Sequence, residues 1–393
     1  MTSVGAAPGV AEIAERTRAF VRDVCLPAEQ RFPGPELDRG LRAELQAAAR
    51  EAGVFAPHVP VEFGGRGLDI SGWSAVFEEA GYSLLGPQAL NCAAPDEGNM
   101  HLLEIVATDE QKERYLRPLA AGDVRSCFAM TEPHPGAGSD PGALATSARR
   151  VDGGWVIDGE KRFISGADGA AFSICMARAQ EGATMFLIDA ENPGWQVGRP
   201  MQTTDTVFAG GHSEVAIREC RVSADAVLGE VGEGFGYAQV RLGPARLTHC
   251  MRWLGLARRA LDIALDRAAQ REVFGSRLEE LGLAQGLIAD SVIDIEASRS
   301  LIRWAAGVLD RGSHGRHETS VAKVFVAEAV WRIIDRSLQL TGGDGVTADL
   351  PLARFQNEVR SFRIYDGPSE THRWAIARRA SRVRAGERET SPD

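Results

Sequence analysis

The chain has 393 residues, 44 Lys and Arg against 54 Asp and Glu, a formal net charge of −10, and ordinary globular proportions of 44% hydrophobic and 25% charged residues. That length predicts two or three domains with ample core, so disorder as the main state is excluded. No run of about 18 apolar residues marks a membrane-spanning helix, and the acidic balance disfavours nucleic acid, whose phosphates require clustered positive charge.

The opening Met1 to Pro8 lacks a basic patch followed by an apolar run, so no secretory signal is expected. Six cysteines (25, 92, 127, 175, 220, 250) are scattered without a Cys-x-x-Cys pair. Such spacing points to a reducing, cytoplasmic compartment and to neither a disulfide scaffold nor a zinc ribbon. Of the basic residues only Lys112, Lys161 and Lys323 are lysines.

From Val10 to about Ala120 apolar residues recur three and four apart (Ile13, Phe20, Val21; Leu41, Leu45, Ala48), which predicts an all-helical segment over 1–125. Over 126–230 the texture turns to strand-like runs. Val151 to Gly159 holds two Asp-Gly signals and predicts a hairpin, and Ala171 to Met176, Thr184 to Ile188 and Ser213 to Ile217 read as further strands of a small β-barrel or sandwich. Over 231–385 the helical period returns in long stripes: Leu283 to Leu309 over about seven turns, roughly 40 Å, then Val321 to Leu338, closed by Gly342-Gly343. These predict a helix bundle. Residues 1–9 and 386–393 are expected to be flexible. The order is helices, strands, long helices, an α+β chain that is mostly α.

Several segments carry chemistry. Phe128 to Pro141 ends a strand in a loop dense in Gly, Pro and hydroxyls, either a ligand loop or an ordinary surface turn. In Lys161-Arg162-Phe163-Ile164-Ser165-Gly166 the aromatic and the hydroxyl stand two apart, on one strand face, where a planar ring stacks on the first and bonds the second, unless they are a core Phe beside a solvated Ser. Gln339 to Gly345 resembles a phosphate-cradling glycine loop but closes a helix, so a C-cap serves equally. Asp366, before Gly367-Pro368, is either a general base on a tight turn or a helix cap. His314 and His317 read as a solvated loop, Asp290 and Asp294 share a helix face without Glu296, and no metal site is found. The arginines from Arg373 to Arg388 read as a solvated helix face, with phosphate binding the minor reading.

In this order the segments resemble the acyl-CoA dehydrogenase family over nearly the whole chain. The resemblance rests on Glu62-Phe63-Gly64-Gly65 with Gly67, Thr131-Glu132-Pro133 with Ser139-Asp140, Asp158-Gly159-x-Lys161, the Gln339 to Gly345 loop and Ile364-Tyr365-Asp366-Gly367. Asn91 to Met100, Arg246 to Arg252 with His249-Cys250-Met251, and Asp366-Gly367-Pro368 resemble the branch of family members ten and eleven. The implied fold is an N-terminal helical domain, a central β-domain and a C-terminal four-helix bundle.

The resemblance implies FAD held by Phe128, Met130, Thr131, Ser139, Phe163, Ser165 and Ser369, with Phe163 against the flavin ring and Ser165 near N5. Arg271, Phe274, Gln339, Gly342 and Gly343 would reach the adenosine diphosphate part of FAD in a neighbouring subunit, so a homodimer or homotetramer is expected. Asp366 would abstract the α-proton of an acyl-CoA or acyl-carrier thioester while hydride passes to N5, with burial beside apolar groups raising its pKa. Ser139, Arg246, Tyr365 and Gly367 would contact substrate, and electrons would pass to an electron-transferring flavoprotein. Five departures stand out: Asp366 is about 1.5 Å shorter than the usual Glu, Ala245 occupies the alternative Glu position, Phe163 replaces a Trp, Gly282 replaces a Gln, and Pro368 replaces a Thr. Two further classes share the fold: flavin oxidases resembling nitroalkane oxidase, which also use Asp, and nucleic-acid-binding alkylation-response proteins, which only the arginine tail favours here.

Overall fold

The helical period of the first fifty residues becomes α1 (Pro8–Phe20) and α2 (Arg39–Glu51), followed by α3 (Ile70–Ala80) and α4 (Asp96–Val106). The structure is a computed structural model that describes residues 8–31 and 39–384. Of the ends expected to be flexible, 1–7 and 386–393 lie outside the described residues, whereas Pro8 and Gly9 already belong to α1. Asp69 starts α3 by accepting the Gly72 N–H at 2.7 Å, satisfying one of the orphan donors of a helix N-terminus.

Eight strands of one sheet follow: β1 (Ser126–Ala129), β2 (Ser147–Val151), β3 (Gly154–Ser165), β4 (Phe172–Arg178), β5 (Ala183–Asp189), β6 (Trp195–Met201), β7 (His212–Ser223) and β8 (Val227–Leu228). The hydrogen-bonded order is β6-β7-β3-β2-β4-β5-β8, with β1 parallel to β4, and it runs from edge to edge without closing into the expected barrel. The hairpin turn falls at Asp152-Gly153 between β2 and β3. The second Asp-Gly is not a turn: Asp158 and Gly159 lie inside β3, at a bulge in its pairing with β7.

β4 and β5 are buried along almost their whole length. Ile174, Met176, Met185 and Leu187 join the core shared with the helices, while Cys175, Ala177, Phe186 and Ile188 join the core of the sheet. Alternate side chains thus face two different cores, and a continuous apolar run replaces the inside-outside alternation of a one-sided sheet.

The chain then enters α5 (Gly234–Gln270), whose 37 residues span about 55 Å, followed by α6 (Gly282–Asp310), α7 (Arg316–Thr341), α8 (Leu352–Arg360) and α9 (Ser369–Arg384). α5, α6 and α7 pack on one another and α9 lies against α7, giving the expected bundle. α3 also packs on α5. A Cβ on Gly81 would stand 2.0 Å from the Arg252 carbonyl oxygen, and one on Gly255 2.0 Å from that of Glu78. This reciprocal glycine pair lets the two backbones touch beside the buried Arg252.

The loop after β1 is held by one buried carboxylate. Glu132 accepts from Lys161 Nζ at 2.9 Å and from the backbone N–H groups of Ala137, Ala145 and Thr146 at 3.0, 2.6 and 2.9 Å. Burial alone would raise its pKa; Lys161 and these donors instead hold it at about 2. Replacing Glu132 by Gln leaves the buried Lys161 ammonium without its counter-charge, and a loss of about 3 kcal/mol in urea unfolding is expected. The sign in pH follows from the lowered value. The contribution is complete above the ordinary carboxylate value of 4.5 and fades as pH falls towards about 2, so the acid-unfolding curve of Glu132→Gln should lack that component.

Candidate active site

One large cavity, about 1710 Å³, lies between the sheet, α5 and the turn that precedes α9. A single drug-sized ligand occupies about 300–1,000 Å³, so this volume accommodates a large cofactor together with a substrate. Its wall includes Phe128, Met130, Thr131, Ser139, Phe163, Ser165, Arg246, Tyr365, Asp366 and Gly367. The sequence-predicted residues therefore divide into two groups. Arg271, Phe274, Gln339, Gly342 and Gly343 are absent from this wall and gather at the far end of the bundle, where α5 and α7 both finish and Arg267 pairs with Asp344. Phe274 is 98% exposed there. Ser369 belongs to neither group, since it is buried at the start of α9 and does not line the cavity.

Phe163 and Ser165 do face one cavity, but simple strand alternation is not the reason. Phe163 has φ of +59° and sits in a register shift between Lys161 and Ile164, which turns its ring outward so that 51% of the residue stays uncovered. Lys161 points the other way, onto Glu132, with its side chain fully buried. Behind Ser165, its Oγ lies 2.8 Å from His212 Nδ1.

Asp366 has φ of +53° and Gly367 of +98°, a left-handed turn between Ser361–Arg363 and α9. Both carbonyls are gripped from behind. That of Asp366 accepts from Arg246 Nε and His372 Nε2, each at 3.1 Å, and that of Gly367 accepts from Lys323 Nζ at 2.7 Å. Burial pushes the Lys323 ammonium down to about 8 and, with Arg246 nearby, His372 down to about 4. The surroundings of the Asp366 carboxylate are not purely apolar, as expected: His249 stands beside it, and Arg241, Arg246 and Lys323 are near enough for their charge to act on it.

Its nearest ionisable neighbour is His249, whose Nε2 lies 3.4 Å from Oδ2. Trp253 Nε1 donates to the Tyr365 hydroxyl at 2.5 Å, leaving the phenol proton for His249 Nδ1 at 3.3 Å. Arg252 Nη2 donates to the same nitrogen at 3.2 Å. An indole and a guanidinium only donate, so Nδ1 is the acceptor and the ring proton sits on Nε2, facing Asp366. Burial, reinforced by Arg252, lowers the His249 pKa to about 4, so this imidazole is neutral at neutral pH. His249, Lys323 and His372 were missed as site residues. His249 stands in the quoted branch motif, but its role becomes visible only when α5 is packed against the turn.

Two other expectations hold in part. His314 does stand on an exposed loop and Arg378 and Arg382 on an exposed helix face, whereas His317 lies in the first turn of α7; all four, with Arg379, also border the cavity, and Arg388 lies outside the described residues. Among the described residues no group of three metal-ligating side chains gathers, and no helix is long and apolar enough to cross a membrane.

A Cβ on Gly367 would lie 2.6 Å from His372 Nε2, at a φ that L side chains rarely adopt. Gly367→Ala should therefore cost about 2 kcal/mol in urea unfolding, and a wild-type midpoint would refute the left-handed turn.

Comparison with known proteins gives a consistent result. The family profiles described as acyl-CoA dehydrogenase N-terminal, middle and C-terminal domains match residues 9–123, 127–220 and 232–381. A Mycobacterium tuberculosis protein assigned as the acyl-CoA dehydrogenase FadE2 is 37% identical over 346 residues, 85% of this chain and 84% of its own. Acyl-CoA dehydrogenase family member 11 of Rattus norvegicus is 36% identical over 392 residues, 93% of this chain, which spans only 50% of that relative's length. A solved structure from Mycobacterium abscessus, named as an acyl-CoA dehydrogenase candidate, superposes with a TM-score of 0.88 at 34% identity, covering 97% of this chain and 100% of its own. With three matched domains and a shared architecture, the chain belongs to the acyl-CoA dehydrogenase family, whose members are flavoprotein oxidoreductases.

Proposed function

We propose that the chain removes hydrogen from the α and β carbons of an acyl thioester, using FAD and Asp366. The observation that carries this reading is that the Asp366 carboxylate shares one cavity wall with Thr131, Phe163 and Ser165. The residues suit a flavin. The uncovered Phe163 ring offers a face for a planar group, the hydroxyls of Thr131, Ser139 and Ser165 offer hydrogen bonds around it, and Phe128 and Met130 add apolar surface. When bound, FAD supplies the acceptor for the hydride that leaves the β carbon.

The remaining work falls to side chains of this chain. Asp366 acts as the general base for the α-proton. His249, with Nε2 at 3.4 Å from Oδ2, stands against one carboxylate oxygen and leaves Oδ1 to approach the substrate. Arg241 and Arg246 line the same cavity, and their charge opposes the negative charge that develops on the thioester oxygen. The thioester belongs to CoA or to an acyl carrier, contacted by Ser139, Arg246, Tyr365 and Gly367. The separate exposed cluster of Arg271, Phe274, Gln339, Gly342 and Gly343 supports a homodimer or homotetramer in which it reaches the adenosine diphosphate end of the neighbour's FAD. Electrons then pass to an electron-transferring flavoprotein.

Asp366→Asn keeps the shape and removes the base. It should retain FAD, while anaerobic flavin bleaching by an acyl-CoA falls about 10³-fold; a wild-type protein that no acyl-CoA bleaches would refute the reading. The Asp base also suits an oxidase, which peroxide release without a partner flavoprotein would reveal. Phe274→Asp should lower both the assembled mass in light scattering and the flavin content, and if neither changes the exposed cluster has no part in the site.

A further inference from the structure

Behind the Ser165 hydroxyl stands a chain of buried groups to which the reading above gives no task. Ser165 Oγ lies 2.8 Å from His212 Nδ1, and His212 Nε2 lies 3.3 Å from Asp205 Oδ1. That Oδ1 is buried and is hydrogen-bonded by no group, His212 Nε2 meeting it at ion-pair distance only, while Oδ2 accepts from Ser361 Oγ at 2.7 Å. Asp205 and His212 are 5% and 9% exposed, and both border the cavity.

The carboxylate is fixed before any ligand arrives. Its loop is clamped by the buried Glu358 of α8, which accepts the N–H groups of Thr206 at 2.8 Å and Val207 at 3.3 Å together with the Thr206 hydroxyl. Ser361, just past α8, adds the bond to Oδ2. Burial would raise the Asp205 pKa, yet His212 and Ser361 hold it at about 2, so the group is ionised.

We propose that Asp205 and His212 are positioning residues that set the direction of the Ser165 hydroxyl towards flavin N5. This rests on the reading that FAD fills the cavity with N5 near Ser165. An ionised carboxylate opposite Nε2 keeps the ring proton there and leaves Nδ1 as an acceptor. Nδ1 then takes the Ser165 hydroxyl proton, and Oγ turns its lone pairs to the cavity. A lone pair suits an N–H at N5, which the reduced flavin has and the oxidised flavin lacks, so the arrangement favours the reduced state. An amide at position 205 donates to Nε2 as readily as it accepts. It therefore admits the opposite tautomer, in which Nδ1–H donates to Oγ and the hydroxyl proton swings towards N5.

The test is a double-mutant cycle read on the reduction potential of bound FAD, measured by equilibration with a reference dye. The proteins are wild type, Asp205→Asn, Ser165→Ala and the double variant, each with its flavin content checked by absorbance. Asp205→Asn should shift the potential, and the shift should vanish in the Ser165→Ala background, because contact between the two effects runs through the hydroxyl. A shift of equal size in both backgrounds, or none in the first, overturns the relay while leaving FAD binding intact. Wild-type protein that fails to take up FAD overturns the functional reading and the relay with it. If Asp205→Asn does not fold, His212→Gln serves in the same cycle with the same two outcomes, since it removes the acceptor at Nδ1.

Discussion

Three arginines of α5, Arg241, Arg246 and Arg252, are each less than a tenth exposed, and the rest of the structure is arranged around them. A buried guanidinium costs several kcal/mol unless its donors are satisfied, so its partners dictate which elements must meet. Arg241 donates to Asn99 Oδ1 at 2.7 Å and stacks 4.2 Å from the Phe128 ring at the end of β1. Arg252 donates to Glu97 and to the Cys92 carbonyl, and Arg246 holds the Asp366 carbonyl. The N-terminal helices, the sheet and the turn bearing the carboxylate are thereby referred to one rigid 37-residue helix. Burial would raise the pKa of Glu97, but Arg252 and His249 bring it to about 2, which keeps a full negative charge opposite these cations.

Spacing along α5 converts this constraint into a site. Arg241, Ala245, His249 and Arg252 stand four, four and three apart, one stripe of a helix, and the first three line the cavity. Ala245 keeps that stripe narrow: Gly98 of α4 would carry a Cβ 3.5 Å from the Ala245 Cβ and 3.2 Å from the Arg241 guanidinium. A carboxylate at 245 would have to share this crowded, already compensated place. Asp366 on its own turn does not.

Much of this was legible in the sequence, for reasons that also mark the limit. Elements with one apolar face announce themselves by period, as α6 and α7 do, and the cap at Gly342 was readable from its glycine pair. α5 is harder to single out because it is buried on most of its surface and carries internal arginines that look like surface charge in a pattern. Asp158-Gly159 misleads because a turn dipeptide also suits a bulge in a long strand paired on both sides. Site residues within a motif, such as Thr131, Phe163, Ser165 and Asp366, came from local texture and family likeness. His249, His212, Asp205 and Lys323 act through partners 44 to 156 residues away or through packing of α5, and nothing local distinguishes them from ordinary core or surface groups.

Of the four carboxylates that border the cavity, Glu97, Asp205 and Asp366 differ in how fully they are committed. Glu97 Oε1 is occupied by Arg252 and by the Thr248 hydroxyl, and its charge is needed to compensate α5. Asp205 faces an imidazole on one oxygen and a serine on the other. Asp366 meets only the neutral His249, at 3.4 Å and on one oxygen, while the strong grips of Arg246, His372 and Lys323 fall on backbone carbonyls of its turn. Rigid backbone and a lightly held carboxylate are the combination a proton acceptor requires, because the geometry is fixed without using the lone pairs that must receive the proton. The cations that would have neutralised a simple ion pair are spent on the main chain, and that division of labour, rather than proximity alone, separates Asp366 from its neighbours.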